Sequence, residues 1–165
     1  MKFGKFDSFE AFLASYIAAR RVDDLAETAG LPEDAALARR RRRRARDVVE
    51  LRSRVLEYLG TESAGAQHQH LIINVTELLE NDPDVADDLA RVIEAQERVF
   101  VSIRFGDRMG IPDEVPGLVE GVSLRLRGEW IPREEAYAHG GERLSVLHFT
   151  HDPLGFVCTP AACYS

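Results

Sequence analysis

Four of the chain's five histidines form two close pairs, and their side chains are the ones best suited to do chemistry. His68 and His70 open one apolar run, and His148 and His151 close another. Imidazole binds transition metals and transfers protons near neutral pH, and Asp152 can add a carboxylate ligand or orient a ring. The pattern predicts a divalent-metal site, with zinc as the first candidate. The alternative is structural histidines that bond loop carbonyls, since the chain has no HExxH-type spacing.

The spacing within each pair decides which imidazoles can act together. His68 and His70 are two residues apart, so a strand places both on one face. His148 and His151 are three apart, so a regular strand separates them unless the chain bends at Asp152-Pro153. If the pairs converge, metal-assisted hydrolysis of a phosphodiester is one hypothesis, with these histidines as ligands or acid–base groups.

A run of arginines is the most prominent electrostatic feature of the chain. In a helix these side chains lie beside one another and repel, and a polyanion relieves that repulsion. The run therefore predicts binding of DNA or RNA. The alternative is a solvated helix neutralised by the rest of the chain, since residues 61–165 carry 18 acidic against 8 basic side chains. The residues concerned are Arg39, Arg40, Arg41, Arg42, Arg43, Arg44 and Arg46.

Trp130 follows two arginines at strand spacing, Arg125 and Arg127. An exposed tryptophan flanked by arginines forms a platform on which bases of a single strand stack. This predicts a second nucleic-acid contact, formed by these three residues. The alternative, that Trp130 belongs to the hydrophobic core, stays open.

Residues 1–60 are predicted to form a helical module. Apolar residues recur with helical spacing after Asp7-Ser8, and a long helix is predicted from Pro32 through the arginine run to Gly60. Val48, Leu51, Val55 and Leu59 make its apolar stripe. Such helices also suggest a homodimer paired through this module, a third hypothesis of protein assembly. Residues 61–65 are small and polar and are predicted to be a linker.

Residues 66–165 change to the period of strands. A turn is predicted at residues 139–141, with His139 facing solvent. The fold class is therefore α+β: an N-terminal helical module followed by a small OB-like antiparallel β-barrel with one inserted helix. The predicted elements are strands at His70–Thr76, Arg98–Phe105, Val122–Trp130 and Leu144–Phe149, and a helix at Asp82–Gln96.

Composition indicates a soluble globular protein. Of its 165 residues, 45% are hydrophobic and 30% are charged, and no apolar stretch has the roughly 20 residues needed to cross a bilayer. Asp7 and Glu10 interrupt any signal-peptide core, so we expect a cytoplasmic protein without membrane contact. Cys158 and Cys163 are expected to be ordinary thiols of the terminal segment.

Three segments together resemble an uncharacterised bacterial family of OB-like barrels. They are Gln67–Leu71, Leu126–Trp130 and Val146–Pro153, which are similar to the family's H-Q-R-F-like start, G-E-Y segment and H-W-T-H-x-D-P-like end. His70 stands where the family has arginine, Phe149 replaces tryptophan, and the helix looks inserted. The resemblance covers the last 100 residues and implies a fold rather than an activity, because the family has none established.

The leading functional hypothesis is a non-enzymatic intracellular binding module, associated with nucleic acid through the arginine run. A metal-assisted hydrolase and an assembly module are the alternatives.

Overall fold

The structure is a computed structural model that describes residues 5–6, 47–62, 67–107, 110–139, 141–152 and 154–165. Within these ranges the chain forms short and long strands, one 3-10 helix and one α-helix. In chain order the elements are β1 (Lys5–Phe6), β2 (Val48–Glu62), β3 (Gln67–Asn81), the 3-10 helix (Pro83–Val85), α1 (Ala86–Glu94), β4 (Arg98–Phe105), β5 (Ser123–Ile131), β6 (Ser145–His148), β7 (Phe156–Cys158) and β8 (Cys163–Tyr164).

Five of the strands close into a barrel, in the order β2–β3–β4–β6–β5, with β5 returning to β2. Neighbouring strands are antiparallel except β4 and β6, which are parallel. The other edge of β5 pairs first with β7 and then with β6, and β8 and β1 extend the sheet beyond β7. The predicted β-barrel with one short helix is confirmed, and its strand order is consistent with an OB-like barrel.

The barrel interior is filled by alternate residues of every strand. In β4 the odd-numbered residues face inward, so the even-numbered residues face outward. Directly paired residues share a face, so the β3 partners Leu71 and Ile73 also face inward, and the paired Leu51 of β2 and Leu126 of β5 complete the core. The buried inward side chains include Val49, Leu51, Leu71, Ile73, Val99, Val101, Ile103, Leu126, Trp130 and Leu147.

Helix α1 covers one end of the barrel. Asp82 begins this segment by accepting a hydrogen bond from the Asp84 backbone N–H at 3.1 Å. Leu89 and Val92 are buried in the main core. Asp88 connects the helix to the barrel wall, because its Oδ2 accepts from Trp130 Nε1 at 2.7 Å. The helix is therefore joined to the barrel by apolar packing and by a partly buried carboxylate.

The prediction of a helix over residues 48–60 is wrong, since these residues form β2. The segment alternates: Val49, Leu51, Ser53 and Val55 are buried, whereas Arg52 is exposed. Pairing on both sides, with β3 and β5, satisfies the backbone and overrides the helical stripe. The remaining helical predictions, with the whole arginine run, lie outside the described residues.

Register shifts bend β2 strongly and explain why its alternation is imperfect. Leu56 and Leu59 are the extra residues at two of these shifts, and their side chains are exposed. Thr61 and Glu62, predicted as the start of a linker, are the last residues of β2. The rest of that linker prediction, residues 63–65, lies outside the described residues.

The two cysteines are joined in a disulfide, so the expectation of free thiols is wrong. Cys158 and Cys163 are direct partners in the β7–β8 hairpin, and strand pairing brings their Cα atoms to 4.0 Å. The helical segments in the described part of the chain are too short or too polar to cross a membrane.

Candidate functional site

The histidine pairs lie on the outer surface of the barrel. In the β3–β4 ladder His68 is opposite Arg104 and His70 is opposite Ser102, and these even-numbered β4 residues face outward. His68 and His70 therefore share one face, as strand periodicity predicts. On β6 Val146 is the partner of outward-facing Phe100, so His148, two residues later, also faces outward.

One cluster on this surface is a row of four rings. The ring centroids of His68 and His70 are 6.0 Å apart, and those of His70 and Phe100 are 4.9 Å apart. His139 completes the row, because its imidazole lies on the Phe100 ring at 3.8 Å with an interplanar angle of 6°. The prediction that His139 faces solvent is wrong. We call these four residues the ring row.

The loop between β5 and β6, residues 132–144, brings His139 to this position. Ala136 and Leu144 of the loop are buried with Ile72, Phe100 and Val146 in a small second core outside the barrel. This apolar contact fixes both ends of the loop on the sheet, and the tip between them passes over the outer surface of β3 and β4.

The second cluster follows the end of β6. His148 Nε2 lies 3.1 Å from Glu129 Oε2 on β5. Phe149 has a left-handed φ of 51°, so the chain bends here, earlier than the bend predicted at Asp152-Pro153. Both imidazoles of the pair lie beside the Phe149 ring. The distance between ring centroids is 4.2 Å for His148 and 5.8 Å for His151.

Burial lowers the pKa of three of the imidazoles below the ordinary value. It lowers the pKa of His70, against the opposing effect of Glu62. It also lowers the pKa of His139 and of His151, and at His151 the bond to the Asp152 carbonyl opposes the change. His151 Nδ1 lies 2.8 Å from that carbonyl oxygen, while its buried Nε2 has no hydrogen-bond partner. In the neutral ring Nδ1 carries the proton.

We expect the protein to lose stability as the pH falls, with His151 as a principal cause. The native pKa lies below the ordinary value of 6.5, so between the two values the unfolded chain binds a proton that the native state does not. The free energy of unfolding therefore starts to fall near pH 6.5, and the loss is complete below the native pKa. Urea titrations measure this loss in the free energy of unfolding. They are run at pH 7.5 and at pH 5, which lie on either side of the ordinary histidine pKa. His151→Gln should reduce the difference; the same difference in wild type and His151→Gln would contradict the assignment. His68→Gln, at a partly exposed ring, is the matched control.

The five predicted metal ligands do not form one ligand set. His68 and His70 belong to the ring row, whereas His148, His151 and Asp152 belong to the second cluster. Across the described ranges, no group of three or more His, Cys, Asp or Glu side chains is placed to hold a metal ion. The zinc and hydrolase hypotheses stay predictions, and the described residues alone do not supply a ligand set for them.

Trp130 does not form the predicted stacking platform, because it is buried in the barrel with 1% of its surface exposed. The core interpretation is confirmed. Arg125 and Arg127 face outward beside it, but both are bonded to Glu50, at 2.7 Å and 3.1 Å. Arg127 also donates to Glu80 at 2.5 Å. Their charges are neutralised within the protein.

Arginines outside the predicted set lie next to the rings. Arg104, on β4, is the cross-strand partner of His68 and donates to Asp107 at 3.0 Å. Arg98 pairs with Glu142 of the loop at 3.0 Å and with Glu57 at 3.5 Å. The alternation of Arg98–Phe105 in the sequence already indicates that both arginines share a face with Phe100.

Comparison of the chain with known protein families, with curated proteins and with solved structures gave no match. The resemblance to an OB-like bacterial family therefore stays a prediction.

Proposed function

We propose that this protein is a non-enzymatic binding module for single-stranded nucleic acid, whose ligand lies on the outer face of β3 and β4. The observation that carries the proposal is the ring row, which lies on the second and third strands of the barrel. OB-like barrels bind oligonucleotides on this face, which is an argument from fold analogy. The OB-like assignment is part of the proposal.

The chemistry of the face suits unpaired bases and phosphates. Imidazole and phenyl rings stack with bases of any sequence, so the ring row favours a single strand over a duplex. Arg98 is about half-exposed and Arg104 about one quarter exposed, and guanidinium groups bind phosphate through paired hydrogen bonds. Each is neutralised by an acidic neighbour, so a phosphate must replace a carboxylate. We therefore expect modest affinity and strong salt dependence.

The arginine run has a separate part in the proposal. Seven arginines between Arg39 and Arg46 supply positive charge, which the chain, with a net charge of −7, otherwise lacks. Each phosphate that they neutralise adds a salt-dependent contribution to affinity.

A cytoplasmic location also remains a prediction. The Cys158–Cys163 disulfide argues for an oxidising compartment, because cytosolic thiols are kept reduced.

Arg104→Ala should weaken binding of a fluorescent oligothymidylate of about 12 nucleotides by roughly fivefold to tenfold at ~50 mM salt. The slope of log K (association) against log salt is negative, and one lost phosphate contact should make it less steep by about 0.7 for a single strand. Fluorescence anisotropy over a salt series measures both. Arg52→Ala is the matched control, because Arg52 is an exposed strand arginine paired with Glu77 at 2.7 Å, away from the ring row. It should change neither quantity by more than the experimental error.

Two results would overturn the proposal. One is no binding by the wild-type protein at ~50 mM salt, where phosphate contacts are strongest. The other is equal binding by Arg104→Ala and Arg52→Ala. Changing Arg40 through Arg43 to glutamate in the same assay separates the contribution of the arginine run from that of the barrel face.

A further inference from the structure

His139 lies on Phe100 in the geometry of a stacked base. The two rings are 3.8 Å apart between centroids and within 6° of parallel, so the imidazole covers the outer face of the phenyl ring. Phe100 is only 3% exposed as a result of this contact and of the second core around it. His70 contacts the same phenyl ring at 4.9 Å, in a tilted orientation. The covered ring thus has an imidazole beside it as well as above it.

The part of the loop that carries His139 is held more weakly than its ends. Ala136 and Leu144 are buried in the second core and fix the ends. Between them Tyr137 is 89% exposed, and Glu142 reaches Arg98 through an ion pair in which both side chains are about half-exposed. Such a pair contributes little to holding a loop in place. His139 and Glu142 also bond each other through their backbones, so they are expected to move as one unit.

We infer that the Phe100 ring is a stacking site for an unpaired nucleobase, and that His139 occupies this site in the free protein. The inference rests on the proposed function and assigns the position of one base within it. A base that displaces His139 stacks on Phe100 with the His70 imidazole at its edge. Movement of the tip also separates Glu142 from Arg98, so that the phosphate of the same nucleotide can take the place of Glu142, while Glu57 still pairs with the guanidinium at 3.5 Å.

His139 and the base compete for one surface, so His139 lowers the observed affinity. The apparent dissociation constant is the intrinsic constant divided by the fraction of molecules with the ring uncovered. Removal of the imidazole raises that fraction, and the energy of an aromatic pair corresponds to roughly a threefold to tenfold change. Removal of the phenyl ring has the opposite effect, because the base loses its platform.

The test is a double-variant cycle in the oligothymidylate assay, with the full chain. His139→Ala should bind about threefold to tenfold more tightly than wild type, and Phe100→Leu, which keeps the second core apolar, should bind about tenfold more weakly. In the Phe100→Leu background His139→Ala should no longer increase affinity. Tyr137→Ala is the control for an aromatic residue lost from the same loop, and it should not increase affinity. Thermal unfolding checks that each variant is folded.

The outcomes separate this inference from the proposed function. If wild type binds and depends on Arg104, but His139→Ala leaves affinity unchanged or lowers it, the stacking site is refuted and the binding face stands. A gain that persists in the Phe100→Leu background also refutes it, because the gain then has another origin. If wild type does not bind, the proposed function fails first. If Phe100→Leu does not fold, the gain in affinity expected for His139→Ala, and the absence of a gain for Tyr137→Ala, still decide the question.

Discussion

Asp88→Ala should lower the free energy of unfolding by about 3–5 kcal/mol, one of the largest effects expected for a single polar residue of this barrel. Its carboxylate accepts hydrogen bonds from Trp130 Nε1 at 2.7 Å and from Ser145 Oγ at 3.1 Å, and it also binds the Arg91 guanidinium. Trp130 and Ser145 are each 1% exposed, so water cannot replace the lost acceptor. Each unsatisfied buried donor costs about 1–3 kcal/mol.

Urea unfolding of Asp88→Ala and Asp87→Ala measures this effect. Asp87 is the preceding residue of α1 and its side chain is exposed, so it controls for loss of an acidic residue near the helix N-terminus. We expect Asp87→Ala to cost about 1 kcal/mol or less. Equal losses in the two variants would mean that the buried hydrogen bonds of Asp88 contribute nothing.

Glu50→Ala should cost about 2–4 kcal/mol through a buried charge rather than through packing. Glu50 is 8% exposed and bonds both Arg125 and Arg127 on the outer face of β5. Arg127 is 7% exposed, so its guanidinium cannot turn to water when Glu50 is removed. Glu80 still contacts it, which limits the loss.

Glu77→Ala is the matched control for Glu50→Ala. Glu77 forms an ion pair with Arg52 at 2.7 Å, a distance similar to that between Glu50 and Arg125, but the side chains of Glu77 and Arg52 are both more than half-exposed. Exposed pairs contribute about 0–1 kcal/mol, so urea unfolding should show a small change here. If Glu77→Ala and Glu50→Ala lower the free energy of unfolding equally, the buried-charge explanation is refuted. If the double variant Glu50→Met/Arg127→Met loses less stability than Glu50→Ala, the explanation is supported further.

The strands that correspond to β3, β4, β5 and β6 could be predicted from their β-branched or alternating residues, whereas the short β7 and β8 were not predicted. The Arg98–Phe105 strand agrees with β4 at both ends, and the predicted helix at Asp82–Gln96 contains the 3-10 helix and α1. β2 could not be predicted in the same way. Its bulges at Leu56 and Leu59 break the period of two, and the arginines before it extend a helical pattern into it. Pairing with β3 and with β5, which is far away in the chain, decides between the two periods.

The candidate site could be predicted in its residue types but not in its arrangement. Strand periodicity places His68 and His70 on one face, but it gives no sign that β4 separates them from His148. The stacking of His139 on Phe100 depends on the course of a loop across the sheet, which has no local sequence pattern. Trp130 was predicted in the opposite sense. The arginines that flank it suggested a binding surface, but Trp130 lies at an even-numbered position of β5, on the same inward face as Leu126.

Barrel closure has a consequence for the order in which parts of the protein fold during synthesis. The β2–β3 hairpin joins segments that are adjacent in sequence, whereas closure pairs Val48 with Glu129 and Val99 with Ser145. Bringing together such distant segments costs chain entropy and slows folding. During synthesis the ribosome must release β6 before the barrel can close. The histidine-bearing surface, which β6 completes, is therefore among the last parts of the barrel to form on the nascent chain.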